Sequence, residues 1–314
     1  IIANPAIEPK SIFISAFATA PLAAVPEFAF KDEIEDIQTG VNALAKLTNG
    51  GVHFSLSSEN YSGTPLHKIE NVIQHVFSGK HPAGNVGVQI SHISPIMKGD
   101  TVWTVSLLLV AAIGKLFNTG KYDMTRKVAV TGPKAIDPSY VDALPGIAMK
   151  DLKEFYDNSA NDLRFISGDV LTGESVGENG FLGFFDNQVT FLHEGTEREV
   201  LGWAKPFRCK KFSSSHTYFS WLTPKKTYDM DTNFNGGPRA FVMSDVYSKV
   251  LPMDIYPVYL AKACLAGDID KMEKFGIYEV LPEDLALCEY VDPSKNDIQE
   301  MIQKGIDLML KEMA

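Results

Sequence analysis

Strand-like and helix-like segments alternate along the N-terminal part of this 314-residue chain, and this alternation is the strongest constraint on its fold. Residues 11–17 form a short β-branched and aromatic run. Apolar residues then recur every three or four positions over 28–47, which predicts an amphipathic helix ending in a left-handed cap at Asn49-Gly50-Gly51. Further predicted segments are strands at 52–56, 72–77 and 102–105 and a helix at 106–118. This order favours an α/β fold with right-handed crossovers and a mostly parallel, helix-covered sheet.

The pattern changes at Arg126, and it changes again near Asp245. The middle portion predicts a mostly antiparallel α+β region, with strands at 127–131 and 165–167, a short helix at 151–156 and a hairpin around Glu194-Gly195. The last portion predicts helices. The final one, over 296–313, carries an apolar stripe that either packs on the core or forms a methionine-rich docking face. We therefore divide the chain into a parallel α/β domain at 1–125, an α+β region with a β-hairpin at 126–244 and a helical region at 245–314.

Composition excludes several classes of function. The net charge of −10 argues against nucleic acid as a partner and against direct binding to anionic lipid. Cys209, Cys264 and Cys288 are far apart and form no Cys-x-x-Cys pair, so they predict buried free thiols rather than a zinc site or an iron–sulfur cluster. The strongest internal apolar run, residues 105–113, is much shorter than the ~20 residues that span a bilayer.

The most suggestive stretch for ligand binding is SGKHPAGNVGVQISHI, residues 78–93. It is not a dinucleotide loop, because Pro82 stands where Gly-x-Gly-x-x-Gly needs its first glycine. It is not a phosphate loop either, because Asn85-Val86 replace the lysine and the serine or threonine. Two interpretations remain open, a plain strand-to-helix turn or a ligand loop at the carboxyl edge of a parallel sheet. The candidate ligand-binding residues are His81, Pro82, Ala83, Gly84 and Gly87.

Other catalytic constellations are missing from the sequence. No pair of histidines has the helical spacing of a zinc site, and no Gly-x-Ser-x-Gly elbow marks a hydrolase. We therefore predict no catalytic residue and no metal ligand.

Eight stretches, in order, resemble one family over nearly the whole chain: the A subunit of bacterial Na⁺-translocating NADH:quinone reductases. They are SIFISAFATAPLAAVP, SGKHPAGNVGVQISHISPI, AIGKLFNTGKY, VAVTGPKAIDPSYV, ISGDVLTG, NFNGGPRAFV, LPMDIYP and PEDLALCEYVDPSK. Members of that family usually begin with a lipoyl-like domain. Since this chain begins at Ile1 without it, we expect an N-terminally trimmed form.

The resemblance implies a Rossmann-like domain, a β-grasp (SLBB-like) domain beginning at Arg126 and a helical C-terminal part. It also implies a peripheral subunit on the cytoplasmic side of the bacterial inner membrane, in a six-subunit complex that oxidises NADH, reduces quinone and pumps Na⁺. Its expected partners are the other subunits, above all the membrane B subunit, and quinone.

Departures from related proteins limit the cofactors. The flavoprotein subunit of complex I, a relative of this family, has a glycine-rich loop for FMN and NADH that is missing here. Asp292 stands where the family often has a second cysteine beside Cys288, so the ligand count excludes an iron–sulfur cluster. We predict no tightly bound cofactor and a role in positioning quinone. The alternatives are an autonomous flavin- or nucleotide-dependent oxidoreductase and a purely structural docking subunit.

Overall fold

Two sheets and a set of C-terminal helices make up this protein, for which we obtained a computed structural model. The structure describes residues 3–313 with gaps at 60, 62, 158–161, 197–200, 203–204, 206–207, 209–210, 214–215 and 243–244. The second strand of the hairpin predicted around Glu194-Gly195 lies largely outside the described residues, and so does Cys209.

Four parallel strands form the first sheet, in the order β3-β2-β1-β4. These strands are β1 (Ile12–Ser15), β2 (Val52–Ser57), β3 (Ile73–Phe77) and β4 (Trp103–Thr104). Their connections contain α1 (Pro26–Ala29), α2 (Ile34–Leu44) and α3 (Val86–Ile93), and α4 (Leu107–Thr119) follows β4. The predicted parallel α/β domain is therefore confirmed. Because the chain moves outward from β1 to β3 and then returns to the other side of β1, the strand order reverses next to β1.

Helices α2 and α4 pack against each other on one face of this sheet. The core there is built from alternate strand residues such as Ile12, Ile14 and Phe54, with Val41 from α2 and Val110 from α4. Ser106 caps α4 by accepting a hydrogen bond from the Leu109 N–H, and Gly120 ends it in the left-handed region.

One predicted boundary is wrong. The continuous helix expected over 28–47 is instead α1 and α2, separated by a turn at residues 30–33. The left-handed residue is Gly51, with φ of +85°, and it leads directly into β2 rather than capping α2.

The second sheet has five strands in the order β6-β5-β9-β7-β8. They are β5 (Arg126–Thr131), β6 (Ser139–Ala143), β7 (Leu163–Ser167), β8 (Glu174–Ser175) and β9 (Gln188–His193), with a 3₁₀ segment at Met149–Phe155 between β6 and β7. All neighbours are antiparallel except β5 and β9 at the centre, so the sheet is mixed. The mixed-sheet part is confirmed, whereas its SLBB-like character stays a prediction.

The C-terminal part is helical, as predicted. It contains α5 (Pro257–Ala266), α6 (Ile269–Lys274), α7 (Ala286–Val291) and α8 (Ile298–Met313), together with short 3₁₀ turns. Ile298, Ile302 and Met309 of α8 are buried in its core, which supports the packing interpretation of the last helix rather than the docking one. Among the described residues, no helix has both the length and the apolarity needed to cross a bilayer.

Candidate functional site

The loop that follows β3 folds back over the carboxyl ends of β2 and β1, where the sequence places the candidate residues. Ser15, the last residue of β1, donates a hydrogen bond to the Gly84 carbonyl at 3.1 Å, and the Gly84 N–H donates to Thr19 Oγ1 at 2.9 Å. Thr19 follows β1, so the two loops close over the edge of the sheet beside the strand-order reversal. This is the position at which open α/β sheets bind ligands.

Gln89 of α3 forms hydrogen bonds to β1 and to the loop at this edge. It is only 1% exposed, and its Nε2 lies 3.0 Å from Ser15 Oγ and 3.2 Å from the Ala83 and Gly84 carbonyls. These contacts of the Gln89 Nε2 group connect α3 to the end of β1 and to the loop before α3.

Glycine is required at position 84 by this close packing of loops. A Cβ built there lies 2.7 Å from both the Phe17 carbonyl oxygen and the Thr19 nitrogen, closer than carbon atoms tolerate. Gly84 therefore lets two segments of the chain's own backbone approach each other, and its predicted contact with a ligand stays a prediction.

The N-terminus of α3 faces a carboxylate from the helical part of the chain. Asp284 is 1% exposed, its Oδ1 accepts a hydrogen bond from the Asn85 side chain at 3.2 Å, and its Oδ2 accepts one from the Leu281 N–H at 3.0 Å. A Cβ at Gly87 would lie 2.3 Å from Asp284 Oδ2. Helix N-termini attract anions, and at α3 the anionic group in this position is Asp284.

Two further carboxylates lie near Asp284. Glu283 precedes it, and Asp169 from the loop after β7 holds the Leu171 and Thr172 N–H groups with its Oδ1. Burial raises the pKa of Asp284 to about 6. Although part of Glu283 faces solvent, surrounding protein and then the charges of Asp284 and Asp169 raise its pKa as well. Loop residues of both sheets and the C-terminal part therefore meet at one acidic junction.

His81 carries a buried nitrogen without a hydrogen-bond partner. Its Nδ1 lies 3.2 Å from Thr19 Oγ1, which also accepts a hydrogen bond from the Gly84 N–H, and the tautomer of the ring decides which of Nδ1 and Oγ1 donates. Burial lowers the pKa of His81, although Asp169 opposes this shift, so the imidazole is neutral near pH 7. Nε2 has no hydrogen-bond partner among the described residues, and it carries the ring proton in the tautomer in which the Thr19 hydroxyl donates to Nδ1.

The same edge has an unpaired acceptor. Gln89 Oε1 is buried and makes no hydrogen bond within the part of the chain that the structure describes. Buried polar atoms are rarely left unpaired, so two of them at one sheet edge, His81 Nε2 and Gln89 Oε1, make this edge the candidate binding site.

Among the described residues, the cysteines form no disulfide and no metal-binding group is found. Cys264 and Cys288 are buried and unbridged, as predicted, and burial raises their pKa to about 11 and about 12. Asp292 accepts hydrogen bonds from the Asn296 N–H and side chain, both at 2.8 Å, just before α8. Within the described ranges, no group of three or more His, Cys, Asp or Glu side chains could hold a metal ion.

Two surface cavities lie away from this edge. One, of about 410 Å³, lies at the amino ends of the strands beside Lys10, Gly50 and Thr101. The other, of about 680 Å³, runs along α2 between Gln38 and Lys68. Neither contains any of the predicted ligand-binding residues.

The structure brings the predicted residues together with others that the sequence did not single out. His81, Pro82, Ala83, Gly84 and Gly87 all lie in the loop and first turn of α3 at the sheet edge. The residues that sequence reasoning missed are Thr19, Gln89, Asp169, Glu283 and Asp284. The sequence motifs ISGDVLTG and PEDLALC contain three of them, but only the tertiary contacts connect those motifs to the loop.

Comparison with known proteins identifies the class first. Residues 1–122 match a family model described as "NqrA second alpha/beta domain". That range covers the parallel sheet and the whole candidate loop, so the first part of the chain is an α/β domain of this type.

Relatives of known name extend the match to nearly the whole chain. The A subunit of the Na⁺-translocating NADH-quinone reductase from Rhodopirellula baltica is 36% identical over 98% of this chain and 68% of its own length. The corresponding protein from Vibrio parahaemolyticus, which has the same name, is 35% identical over 98% of this chain and 69% of its own length. The chain belongs to the A-subunit family of Na⁺-translocating NADH-quinone reductases.

A match to solved structures is much weaker. An NAD⁺-reducing [NiFe]-hydrogenase in its H₂-reduced state matches with 12% identity and a TM-score of 0.46, covering 61% of this chain and 41% of that one. At that score the likeness has no bearing on function.

Proposed function

We propose that this chain is a peripheral subunit of a Na⁺-translocating NADH–quinone reductase, in which it positions the quinone head group at the carboxyl edge of its parallel sheet. Membership of the A-subunit family supports the place in the complex. The observation that carries the quinone role is the buried His81 Nε2, which has no partner among the described residues and to which we assign the ring proton.

A quinone carbonyl is a hydrogen-bond acceptor, which is the chemistry that the His81 Nε2–H needs. A quinol hydroxyl is a donor, which suits the unpaired Oε1 of Gln89. One edge thus offers a donor to the oxidised form and an acceptor to the reduced form. Because both atoms are buried, a ligand reaches them only after a local rearrangement of the loop.

The test is a titration of the chain with a water-soluble short-chain quinone, followed by quenching of tryptophan fluorescence. We expect saturable quenching, and His81→Leu should weaken binding roughly tenfold because one hydrogen bond to the carbonyl is lost. His81→Gln retains an N–H donor and should keep more of the affinity. His92→Leu, on the exposed part of α3, is the matched control and should bind like the unmodified chain.

Parallel titrations with FMN and NADH separate this proposal from its alternatives. Tight binding of either would support an autonomous flavin- or nucleotide-dependent enzyme and overturn the quinone role. Equal quinone affinity of His81→Leu and the unmodified chain would also overturn it. No saturable binding of any of the three would favour a purely structural docking subunit.

We further propose that the chain docks on the membrane B subunit of the complex, at the cytoplasmic side of the inner membrane. Large apolar side chains are unusually exposed for a protein without partners, among them Phe117, Tyr122 and Phe185 at 68%, 73% and 70%. Surfaces of this kind are covered in an assembly. A pull-down with the B subunit that fails under conditions where the remaining complex assembles would contradict this part of the proposal.

A further inference from the structure

Positive charge is concentrated in one segment of this acidic chain. Residues 201–226 contain six lysines and arginines and no aspartate or glutamate, although the whole chain has a net charge of −10. The basic residues are Lys205, Arg208, Lys210, Lys211, Lys225 and Lys226. A field of one sign acts locally, within about a Debye length of ~8–10 Å, so the net charge of the molecule does not describe this surface.

Large apolar side chains project from the same segment. The 3₁₀ turn Phe219–Leu222 exposes Phe219, Trp221 and Leu222 by 69%, 52% and 60%. Lys225 and Lys226, both exposed, follow shortly after Leu222 in the sequence. We refer to residues 216–226 as the basic–aromatic tip.

Hydrogen bonds beneath the tip fix the turn from which these side chains project. Ser213 is 8% exposed, its N–H donates to Ser220 Oγ at 3.1 Å, and its Oγ accepts from the Thr217 N–H at 2.9 Å. Tyr218 turns inward instead, and its hydroxyl donates to the Gly202 carbonyl at 2.9 Å. The polar groups of the turn are thus satisfied internally, while Phe219, Trp221 and Leu222 lie on the outside.

The neighbouring basic residues form two groups, one at the base of the tip and one at its outer surface. Lys211 forms an ion pair with Asp231 at 3.3 Å, and the Arg208 guanidinium lies 5.3 Å from the centre of the Tyr218 ring. These two residues support the base of the tip. Lys225 and Lys226 extend the outer, solvent-facing surface, with Lys226 also 5.3 Å from the Tyr228 ring centre.

We propose that the basic–aromatic tip binds the surface of an anionic lipid bilayer. Tryptophan and phenylalanine are favoured at the level of lipid head groups, and lysines beside them are attracted to acidic lipids. Nucleic acid would also attract the lysines, but it does not account for an exposed leucine between the aromatic residues and the lysines. The tip would hold a peripheral protein close to the membrane by a contact that needs no other subunit.

This inference is independent of the quinone proposal, because it concerns another surface and a lipid rather than a protein or quinone. It also revises the expectation from net charge alone that anionic lipid is not bound.

The test is flotation of the chain with protein-free vesicles, one set of phosphatidylcholine and one with about a third phosphatidylglycerol. We expect partition onto the anionic vesicles only, reduced by high salt. Lys225→Glu/Lys226→Glu should lower the partition coefficient at least about tenfold, because each lysine near the surface contributes to attraction. Phe219→Ser/Trp221→Ser/Leu222→Ser should lower it by a similar factor even at low salt.

Matched controls carry the same changes elsewhere. Lys121→Glu/Lys274→Glu alters the charge equally, and Phe117→Ser/Phe185→Ser removes two other exposed aromatic rings; both should partition like the unmodified chain. Circular dichroism confirms that each variant is folded. Absence of flotation with anionic vesicles, an equal loss in the controls, or binding to a short DNA duplex that exceeds binding to the vesicles would overturn the proposal.

Discussion

At the scale of single residues, the atoms that contact the glycines of the candidate site explain why these positions need glycine. The sequence alone does not explain why a glycine stands at the helical position 87, because glycine inside a helix costs about 1 kcal/mol relative to alanine. The structure gives the reason for its presence, since Asp284 Oδ2 occupies the space that a Cβ would fill. The contact joins the first α/β domain to the helical part.

Gly87→Ala should therefore lower the free energy of unfolding, by about 1–3 kcal/mol, because the steric conflict with Asp284 outweighs the gain in helix propensity. Chemical denaturation measures it. Gly237→Ala is the control, since a Cβ added at that position would have no atom within 4 Å and its φ is not positive. A stabilising effect of Gly87→Ala would show that Asp284 does not approach α3 in solution.

The residues found from the sequence are those that chain order brings together. His81, Pro82, Ala83 and Gly84 follow a predicted strand, so their place at the carboxyl edge of the sheet could be inferred from the strand–helix pattern alone. Asp284 could not, because it lies about 200 positions further along the chain and its role depends on packing between distant parts. Asn85, which donates a hydrogen bond to Asp284 in the structure, is notable in the sequence only because it breaks a phosphate-loop motif.

At the scale of elements, the packing of α2 against α4 depends on one glycine from each helix. A Cβ at Gly40 would lie 2.1 Å from the Val110 carbonyl oxygen, and one at Gly114 would lie 1.7 Å from the Asp36 carbonyl oxygen. The two backbones are thus in direct contact, which brings both helices close to the sheet and buries Val41 and Val110 completely.

Gly114→Ala should lower the free energy of unfolding by at least about 2 kcal/mol, because the helices must separate and the core beneath them loosens. Thermal or urea denaturation measures the change. Phe117→Ala, on the exposed face of the same helix, should stay within about 0.5 kcal/mol. Equal effects of the two substitutions would contradict the close contact.

Periodicity predicted where most elements lie but not where one of them is interrupted. Phe30, Ile34 and Ile37 keep helical spacing, and the structure buries Phe30 and Ile37 although a turn separates Phe30 from α2. A turn that preserves the apolar face leaves no trace in the pattern. The parallel pairing of β5 with β9 could not be predicted either. The two strands are neighbours in the sheet, but β6, β7 and β8 lie between them along the chain, and local sequence does not specify a distant pairing partner.

At the scale of the whole molecule, polar contacts join the parts. Besides Asn85 and Asp284, Lys98 pairs with Glu273 at 2.6 Å, and the side chain of Gln299 donates to the Leu171 carbonyl at 3.2 Å. The Lys98 pair is exposed to solvent and contributes little. The buried Asp284 is different, because burial makes the ionised form of its carboxyl group less favourable than it is in water.

Stability should therefore depend on pH through Asp284. Its pKa is raised from 3.8 to about 6 in the folded chain, so the native state binds its proton more tightly than the unfolded state does. Lowering the pH from 7.5 to 5 should then stabilise the fold through this group, on the order of 1 kcal/mol. Burial lowers the pKa of His53, His75 and His81, which acts in the opposite direction over the same range.

The difference between the unmodified chain and Asp284→Asn reports Asp284 together with its effect on Glu283, whose pKa its charge raises. Free energies of unfolding are determined by urea denaturation at pH 5, 6 and 7.5 for both proteins. Because the histidines contribute equally to both, their effect cancels, and the unmodified chain should gain relative to Asp284→Asn as the pH falls. Parallel pH profiles of the two proteins would show that the Asp284 carboxyl is not buried against α3, and would remove the contact by which the helical part meets the candidate site.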